Sequence, residues 1–438
     1  MNTIDDKSRA EIALQLHRQY HGKLQTMPRC PIRDLDDFSN WYTPGVAAPC
    51  REIERDPALA YEYTNKGNTI AVVTDGSRVL GLGNIGPLAG LPVMEGKALL
   101  FKYLGGVDAV PICLQSKSPD EFINTVKALQ PSFGAINLED IAQPKCFTIL
   151  ERLRSELSIP VWHDDQQGTA TVLLAGLTSS LRIVGKKLHN ARIVMIGMGA
   201  ANVAVYELLK ASNVDPGNII ASDSQGLLHK GREDIAARRS ELYKKWQICE
   251  ETNTDNLQDD ISMAFDQADV VVAFSAPQPG IVRPEWIKRM ASDPVVFACA
   301  NPQPEIWPED AKRAGAVIAA TGRSDFPNQV NNSLCFPGIF RGVLSVRASA
   351  ITKEIALAVA DELVNVAETN GLSVDYILPR MNEWDAHACV AMATARAAIK
   401  QGIAAREDMT DVDLSEEVQA IMRNARKSTQ VLLDAALF

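Results

Sequence analysis

The chain has little of what would tie it to a membrane, a nucleic acid or an oxidising compartment. No apolar run approaches the roughly 18 residues that suggest a spanning helix. The start, Met1-Asn2-Thr3-Ile4-Asp5-Asp6, has neither the basic flank nor the apolar segment of a secretion signal. Basic residues are outnumbered, 44 Lys and Arg against 54 Asp and Glu, and the net charge of −10 argues against nucleic acid or an anionic membrane as the main partner. Local basic pockets for small acidic substrates remain open. The eight cysteines are scattered, with no C-x-x-C pair, so reduced and mostly buried thiols in a cytoplasmic protein are expected. Repeats, low-complexity tracts and long linkers are absent too. What the chain has is length. Its 438 residues, 46% hydrophobic, suffice for two or three domains and a large core.

The stretch that organises the rest is Val161-Trp162-His163-Asp164-Asp165-Gln166-Gln167-Gly168-Thr169-Ala170. Ser158 to Trp162 reads as a short strand, and Thr169 to Ile183 as a helix. Asp164 and Asp165 thus fall where a strand ends and a helix begins, the edge at which open α/β sheets bind ligands. An Asp pair there can also be a helix cap. A second acidic pair, Glu139-Asp140, ends the preceding strand-like run Phe133 to Leu138. Oxygen ligands of this kind suit a hard divalent cation, Mg2+ or Mn2+, rather than zinc.

Ser8 to Tyr20 has the spacing of an amphipathic helix for packing or a subunit contact. His17 and His21 stand four apart on it, without a third ligand nearby, and read as solvated. Tyr42 precedes the turn Thr43-Pro44-Gly45, either as a proton donor or as an aromatic packing the turn. Ile70 to Thr74 is a buried-strand pattern followed by the turn Asp75-Gly76. Gly81, Gly83 and Gly86 have G-x-G-x-x-G spacing, but Pro87 and Pro92 interrupt any immediate helix, so this loop is expected to pack round a substrate rather than bind a dinucleotide. Lys97 lies among apolar neighbours on a helix opening at Pro92. Burial disfavours an ammonium and makes lysine a usable base; the alternative is a side chain that snorkels to solvent. Val107 to Leu114 reads as a strand and Pro119 to Leu129 as a helix.

From Lys186 the pattern is a dinucleotide fold. The strand Ala191 to Ile196 leads into Gly197-Met198-Gly199-Ala200-Ala201-Asn202, then a helix from Val203 to Lys210. The first two glycines allow a tight turn and close approach to a pyrophosphate. Asn202 holds the third position, a departure expected to loosen helix–strand packing. The next strand ends at Asp223, which would bind a ribose hydroxyl and favour NAD; Lys230 and Arg232 downstream would admit NADP. Further strands are expected at Val270 to Phe274, Pro294 to Ala300 and Ala316 to Ala320, with a helix before the first of them from Leu257. Asn301, Asn331 and Asn332 occupy loops. Ala348 to Phe438 reads as helical, for packing or subunit contact.

Taken together, Tyr42 to Ala47, Thr74-Asp75-Gly76, Leu80 to Gly83, Glu95-Gly96-Lys97, Asn137 to Asp140, His163 to Thr169, Ala300-Asn301-Pro302 and Asn328 to Asn332 resemble the malic enzyme family in its short prokaryotic form. The similarity runs over almost the whole chain. It implies an α/β protein with an amino-acid-dehydrogenase-like N-terminal domain (residues 1–163) and a Rossmann-type NAD(P)-binding domain with C-terminal helices (residues 164–438), forming a homodimer. By the resemblance, Glu139, Asp140 and Asp165 are metal-binding carboxylates. Lys97 is the general base, Asp164 the acid that partners it, and Tyr42 the general acid. Arg78 matches an arginine that binds a malate carboxylate in larger relatives; Asn301 and Asn332 match positions near substrate and nicotinamide. The implied reaction converts L-malate to pyruvate and CO2 with NAD, or NADP, and Mg2+ or Mn2+. A lyase on the same site, malolactic or oxaloacetate-decarboxylating, is the alternative.

Overall fold

The computed structural model describes residues 6–258 and 260–437. Met1 to Asp5 and Phe438 lie outside them, so the expectations made there stay as expectations. The expected first helix is α1 (Asp6–Tyr20).

Two sheets carry the fold. The first contains β1 (Thr69–Thr74), β2 (Asp108–Cys113), β3 (Ala135–Leu138) and β4 (Val161–His163) in the order β2-β1-β3-β4, all parallel. Every residue of β1, β3 and β4 is buried, as expected for parallel strands covered on both faces. The covering helices are α2 (Gly86–Gly105), α3 (Pro119–Leu129) and α4 (Lys145–Glu156). Helix α2 corrects one expectation, because it starts at Gly86 and runs through both prolines. Pro87 sits in the first turn, where a missing N–H costs nothing, and Pro92 forgoes one bond of a long helix.

Helix α5 (Thr169–Ile183) leads to the second sheet. It contains β5 (Ile193–Ile196), β6 (Ile219–Asp223), β7 (Gly226–Leu227), β8 (Val270–Ala273), β9 (Val295–Ala298) and β10 (Ile318–Thr321), ordered β10-β9-β8-β5-β6-β7. Only β7 is antiparallel to its neighbour. Strand β5 pairs with β6 on one side and β8 on the other, so the chain reverses its direction of travel across the sheet beside β5. That is where such sheets open a ligand crevice. Helix α6 (Ala200–Ala211) begins three residues earlier than its apolar pattern suggests, since the glycine turn feeds straight into it. The helix expected from Leu257 is a short 3-10 turn, Ile261–Phe265, with Asp260 capping it by accepting from the Ser262 N–H. Helix α7 (Tyr243–Glu251) packs on the same sheet.

The C-terminal part forms α8 (Phe336–Val346), α9 (Lys353–Thr369), α10 (Trp384–Lys400) and α11 (Asp411–Asp434). Helix α8 is buried throughout. Its Phe336 and Phe340 meet Phe101 of α2 at ring separations of 4.6 and 5.0 Å. The last helices therefore brace the element that carries Lys97.

Candidate active site

Two acidic pairs meet because of strand register. Leu138 of β3 pairs with His163 of β4, so the residues that follow, Glu139-Asp140 and Asp164-Asp165, leave the sheet at one level. Asp140 takes a left-handed conformation, φ 55°, which a short polar side chain tolerates better than most. Its backbone N–H donates to Asp165 Oδ2 at 2.7 Å, joining the two pairs. After β4 the chain makes a single π-helical turn, Asp164–Gly168, before α5; such turns recur at functional sites.

Lys97 enters this cluster from α2. Its Nζ lies 2.6 Å from Asp164 Oδ2 and 2.8 Å from Glu139 Oε1, and 4.3 Å from the centre of the Phe336 ring. The lysine is 9% exposed, so it does not snorkel. Each carboxylate is held from behind: Trp162 Nε1 donates to Asp164 Oδ1 at 3.2 Å, and Asn137 Nδ2 to Glu139 Oε2 at 2.9 Å. Burial by itself disfavours the Lys97 ammonium. The fields of Asp164, Glu139 and Asp165 outweigh it and raise Lys97 above its ordinary value. The expectation of a lysine lowered by apolar surroundings is thus corrected, because three carboxylates face it. Burial, countered in part by Lys97, raises the carboxyls of Glu139, Asp164 and Asp165.

His163 is fully buried between these groups. Its Nδ1 is 3.7 Å from Asp165 Oδ2, and burial drives the imidazole down to about 3. The neutral ring therefore favours folding above the ordinary value of 6.5, and this contribution is lost as pH falls toward 3. Unfolding free energy should lose about 2 kcal/mol from this group between about pH 6.5 and 5. The raised carboxyls act in the opposite sense. A urea-unfolding comparison with His163→Gln isolates the imidazole, and the variant should show the shallower acid limb. Equal limbs would contradict a buried neutral ring.

The other expected residues are placed unevenly. Arg78 donates its backbone N–H to Asp140 O at 3.0 Å, and its exposed side chain is near enough to lower Asp165. A Cβ on Gly81 would lie 2.8 Å from Asn301 O, and one on Gly168 3.3 Å from Asn332 Cβ. The Gly81 loop thus packs on the Asn301 loop, and Asn332 rests on the π turn. Tyr42 is not brought to Lys97. It stands just after the short helix Asp37–Trp41, its side chain 70% exposed and without a hydrogen bond among the described residues.

On the second sheet Gly197 has φ 85° and passes so close to the Phe274 carbonyl that a Cβ would collide with it. Gly199 has open space where its Cβ would be, the cradle a pyrophosphate needs. Asn202 does not loosen this turn. Buried, it donates through Nδ2 to Ile196 O at 3.0 Å and Gly197 O at 3.1 Å, tying the helix to the end of β5. Glu305, fully buried, accepts from Ser275 N at 2.6 Å and Ala300 N at 3.1 Å. It joins the loops after β8 and β9 at the crevice, a role with no local signal in the sequence.

Comparison with known proteins matches these two halves separately. Residues 21–154 match the family described as malic enzyme, N-terminal domain, and residues 166–399 the family described as malic enzyme, NAD binding domain. The chain belongs to the malic enzyme family. It is 46% identical over 398 residues to a bifunctional malic/malolactic enzyme of Bacillus subtilis, covering 90% of this chain and 94% of the relative. It is 49% identical to an NAD-dependent malic enzyme of Geobacillus stearothermophilus, over 89% of this chain and 79% of that one. The crystal structure of the Entamoeba histolytica malic enzyme superposes with a TM-score of 0.94 at 46% identity, covering 99% of this chain and 92% of that one.

No three Asp, Glu, His or Cys side chains among the described residues already surround a point at metal-binding spacing, with Glu139 turned onto Lys97 instead. The donors nonetheless fit a hard divalent ion. Three carboxylates, Glu139, Asp164 and Asp165, face the Lys97 ammonium, and the Asp140 backbone is tied to Asp165, an excess of negative charge that a divalent cation would offset.

Proposed function

We propose that this chain converts L-malate to pyruvate and CO2 with reduction of NAD or NADP, using Mg2+ or Mn2+, in a cleft between a substrate half (residues 1–163) and a dinucleotide half (residues 164–438). The observation that carries the reading is the Lys97 ammonium held between Asp164 and Glu139 in a chain of the malic enzyme family. Glu139, Asp140 and Asp165 would hold the ion. When bound, the ion supplies Lewis-acid polarisation of the C2 oxygen and the dinucleotide supplies a hydride acceptor.

The chain's own residues do the rest. Arg78 pairs with a malate carboxylate, and Asn301 and Asn332 orient substrate and nicotinamide. Lys97 takes the C2 hydroxyl proton, and Asp164 keeps its amine aimed. The carboxylates that raise Lys97 are also ligands for the ion; with their charge engaged, burial is left to lower the lysine into the range of a base. Tyr42 returns a proton to C3 after CO2 departs. Its segment exposes Leu35, Phe38, Trp41 and Tyr42 together, which supports a homodimer contact that would cover the phenol. The eight free cysteines and the lack of any membrane-crossing helix among the described residues accord with a cytoplasmic enzyme.

The dinucleotide half uses Gly197, Met198, Gly199, Ala200 and Ala201 around the pyrophosphate and Asp223 at the ribose. Asp223 is shared by Arg232 at 3.1 Å and Lys245 at 3.0 Å. Burial raises the Asp223 carboxyl, and these cations more than reverse that. Such a pre-neutralised acid prefers NAD but repels a 2′-phosphate weakly. Asp223→Ser should raise the NADP-to-NAD ratio of kcat/KM by about tenfold, on the order of 1.4 kcal/mol, and an unchanged ratio would remove Asp223 from the ribose site.

Initial rates of NADH formation with L-malate and Mn2+, together with product analysis, test the whole reading. Pyruvate and NADH in equal amounts are expected. The Bacillus subtilis relative, named as bifunctional, supports a second reading, in which lactate forms without net NADH.

A further inference from the structure

A cavity of about 200 Å3 lies between α4 of the first half and α6, α7 and the start of α9. None of Lys97, Glu139, Asp140, Asp164 and Asp165 lines it. Its charged walls are Arg154, Lys244 and Lys353 against Glu151 and Glu207, an excess of one positive charge in a chain of net −10. The two acids are already taken. Lys244 lies 2.9 Å from Glu151 and 2.5 Å from Glu207, and Lys353 3.2 Å from Glu207.

Arg154 is left without an ion pair among the described residues. Its Nε donates to Val161 O at 3.2 Å and its Nη2 to Ile351 O at 2.7 Å, both backbone carbonyls. Burial lowers this guanidinium to about 10, with Glu207 and Glu151 only partly offsetting it. A desolvated cation without a counter-charge is costly. Lys353 adds to the imbalance, because it occupies the first position of α9, where the helix dipole disfavours a cation.

We propose that this cavity is a binding site for a small oxyanion, phosphate or carboxylate, held by Arg154 and Lys353. Its occupant would bridge α4 to α9 across the junction of the two halves. The floor is the π turn itself: Gln167, which lines the cavity, accepts through Oε1 from the His163 N–H at 3.0 Å, two residues from Asp165. An anion here is therefore placed to alter how the acidic cluster is held, and so to tune affinity for malate. Only that last consequence rests on the proposed function; binding itself does not.

Isothermal titration of the full chain with inorganic phosphate, and separately with succinate, tests the site. Lys353 is half exposed and makes no contact with the catalytic cluster, so Lys353→Met should fold. Arg154→Lys keeps the charge while removing the planar fork. A binding event for either anion that weakens at least about tenfold in Lys353→Met, or roughly 1.4 kcal/mol, supports the site. Whether phosphate or succinate gives that event identifies the head group. Binding equal in wild type and both variants, or no binding by either anion at millimolar concentration, overturns it. If Lys353-dependent binding occurs while malate is not oxidised, the anion site stands and the functional reading fails.

Discussion

Lys97→Ala should lower kcat for malate oxidation by about 10²–10⁴-fold, the usual contribution of a positioned acid–base group. Binding of dinucleotide should change little, because Gly197, Gly199 and Asp223 lie on the other sheet. The substitution has a second, structural signature. Lys97 is the counter-charge for Asp164 and Glu139, and removing one partner from a buried ion pair costs roughly 3–5 kcal/mol. The variant without metal should therefore melt well below wild type, and Mn2+ should recover more of its stability than it adds to the wild-type protein. Full malate turnover in Lys97→Ala would remove the lysine from the reaction.

Gly168→Ala should be almost as damaging to activity although it touches no ligand. Gly168 closes the π turn with ordinary helical dihedrals, φ −64° and ψ −47°, so backbone freedom is not why glycine stands there. A Cβ would fall on Asp164 Oδ1, the oxygen that accepts from Trp162. The clash pushes Asp164 away from both Trp162 and Lys97. Overpacking of this kind costs about 1–3 kcal/mol of stability, and a displacement of about 1 Å at a reacting group costs on the order of 10²-fold in rate. Turnover should fall by about that factor while the protein remains folded by circular dichroism. A Gly168→Ala enzyme with unchanged kcat would mean that Asp164 does not aim the lysine.

The placement of the two acidic pairs was legible in the sequence because both sit at strand ends. Acidic pairs after Leu138 and after His163, each followed by a helix, are patterns that local composition displays. The register that aligns them follows from two buried strands running side by side. Helices Pro119–Leu129 and Thr169–Ile183 have the ranges that their apolar spacing predicts. What was not legible depends on long-range contact or on charge summed over several loops. Phe336 reaches the Lys97 ammonium from a helix far along the chain. The rise of Lys97 above its ordinary value requires three carboxylates from two strands, whereas its sequence neighbours are apolar. Asn202 breaks the glycine motif on paper yet restores it in space, its amide doing by hydrogen bonds what a small residue does by close packing. The exposure of Tyr42 is likewise invisible in a turn that reads as well packed as exposed.

That the carboxylates after β3 and β4 take up one divalent ion beside Lys97 is tested by direct Mn2+ binding to the purified protein. Electron paramagnetic resonance of free Mn2+ should give one site per chain in the wild-type protein. That site should be lost in Asp165→Ala and retained in Lys97→Ala. No saturable Mn2+ site in the wild-type protein, or the same site undiminished in Asp165→Ala, would contradict it.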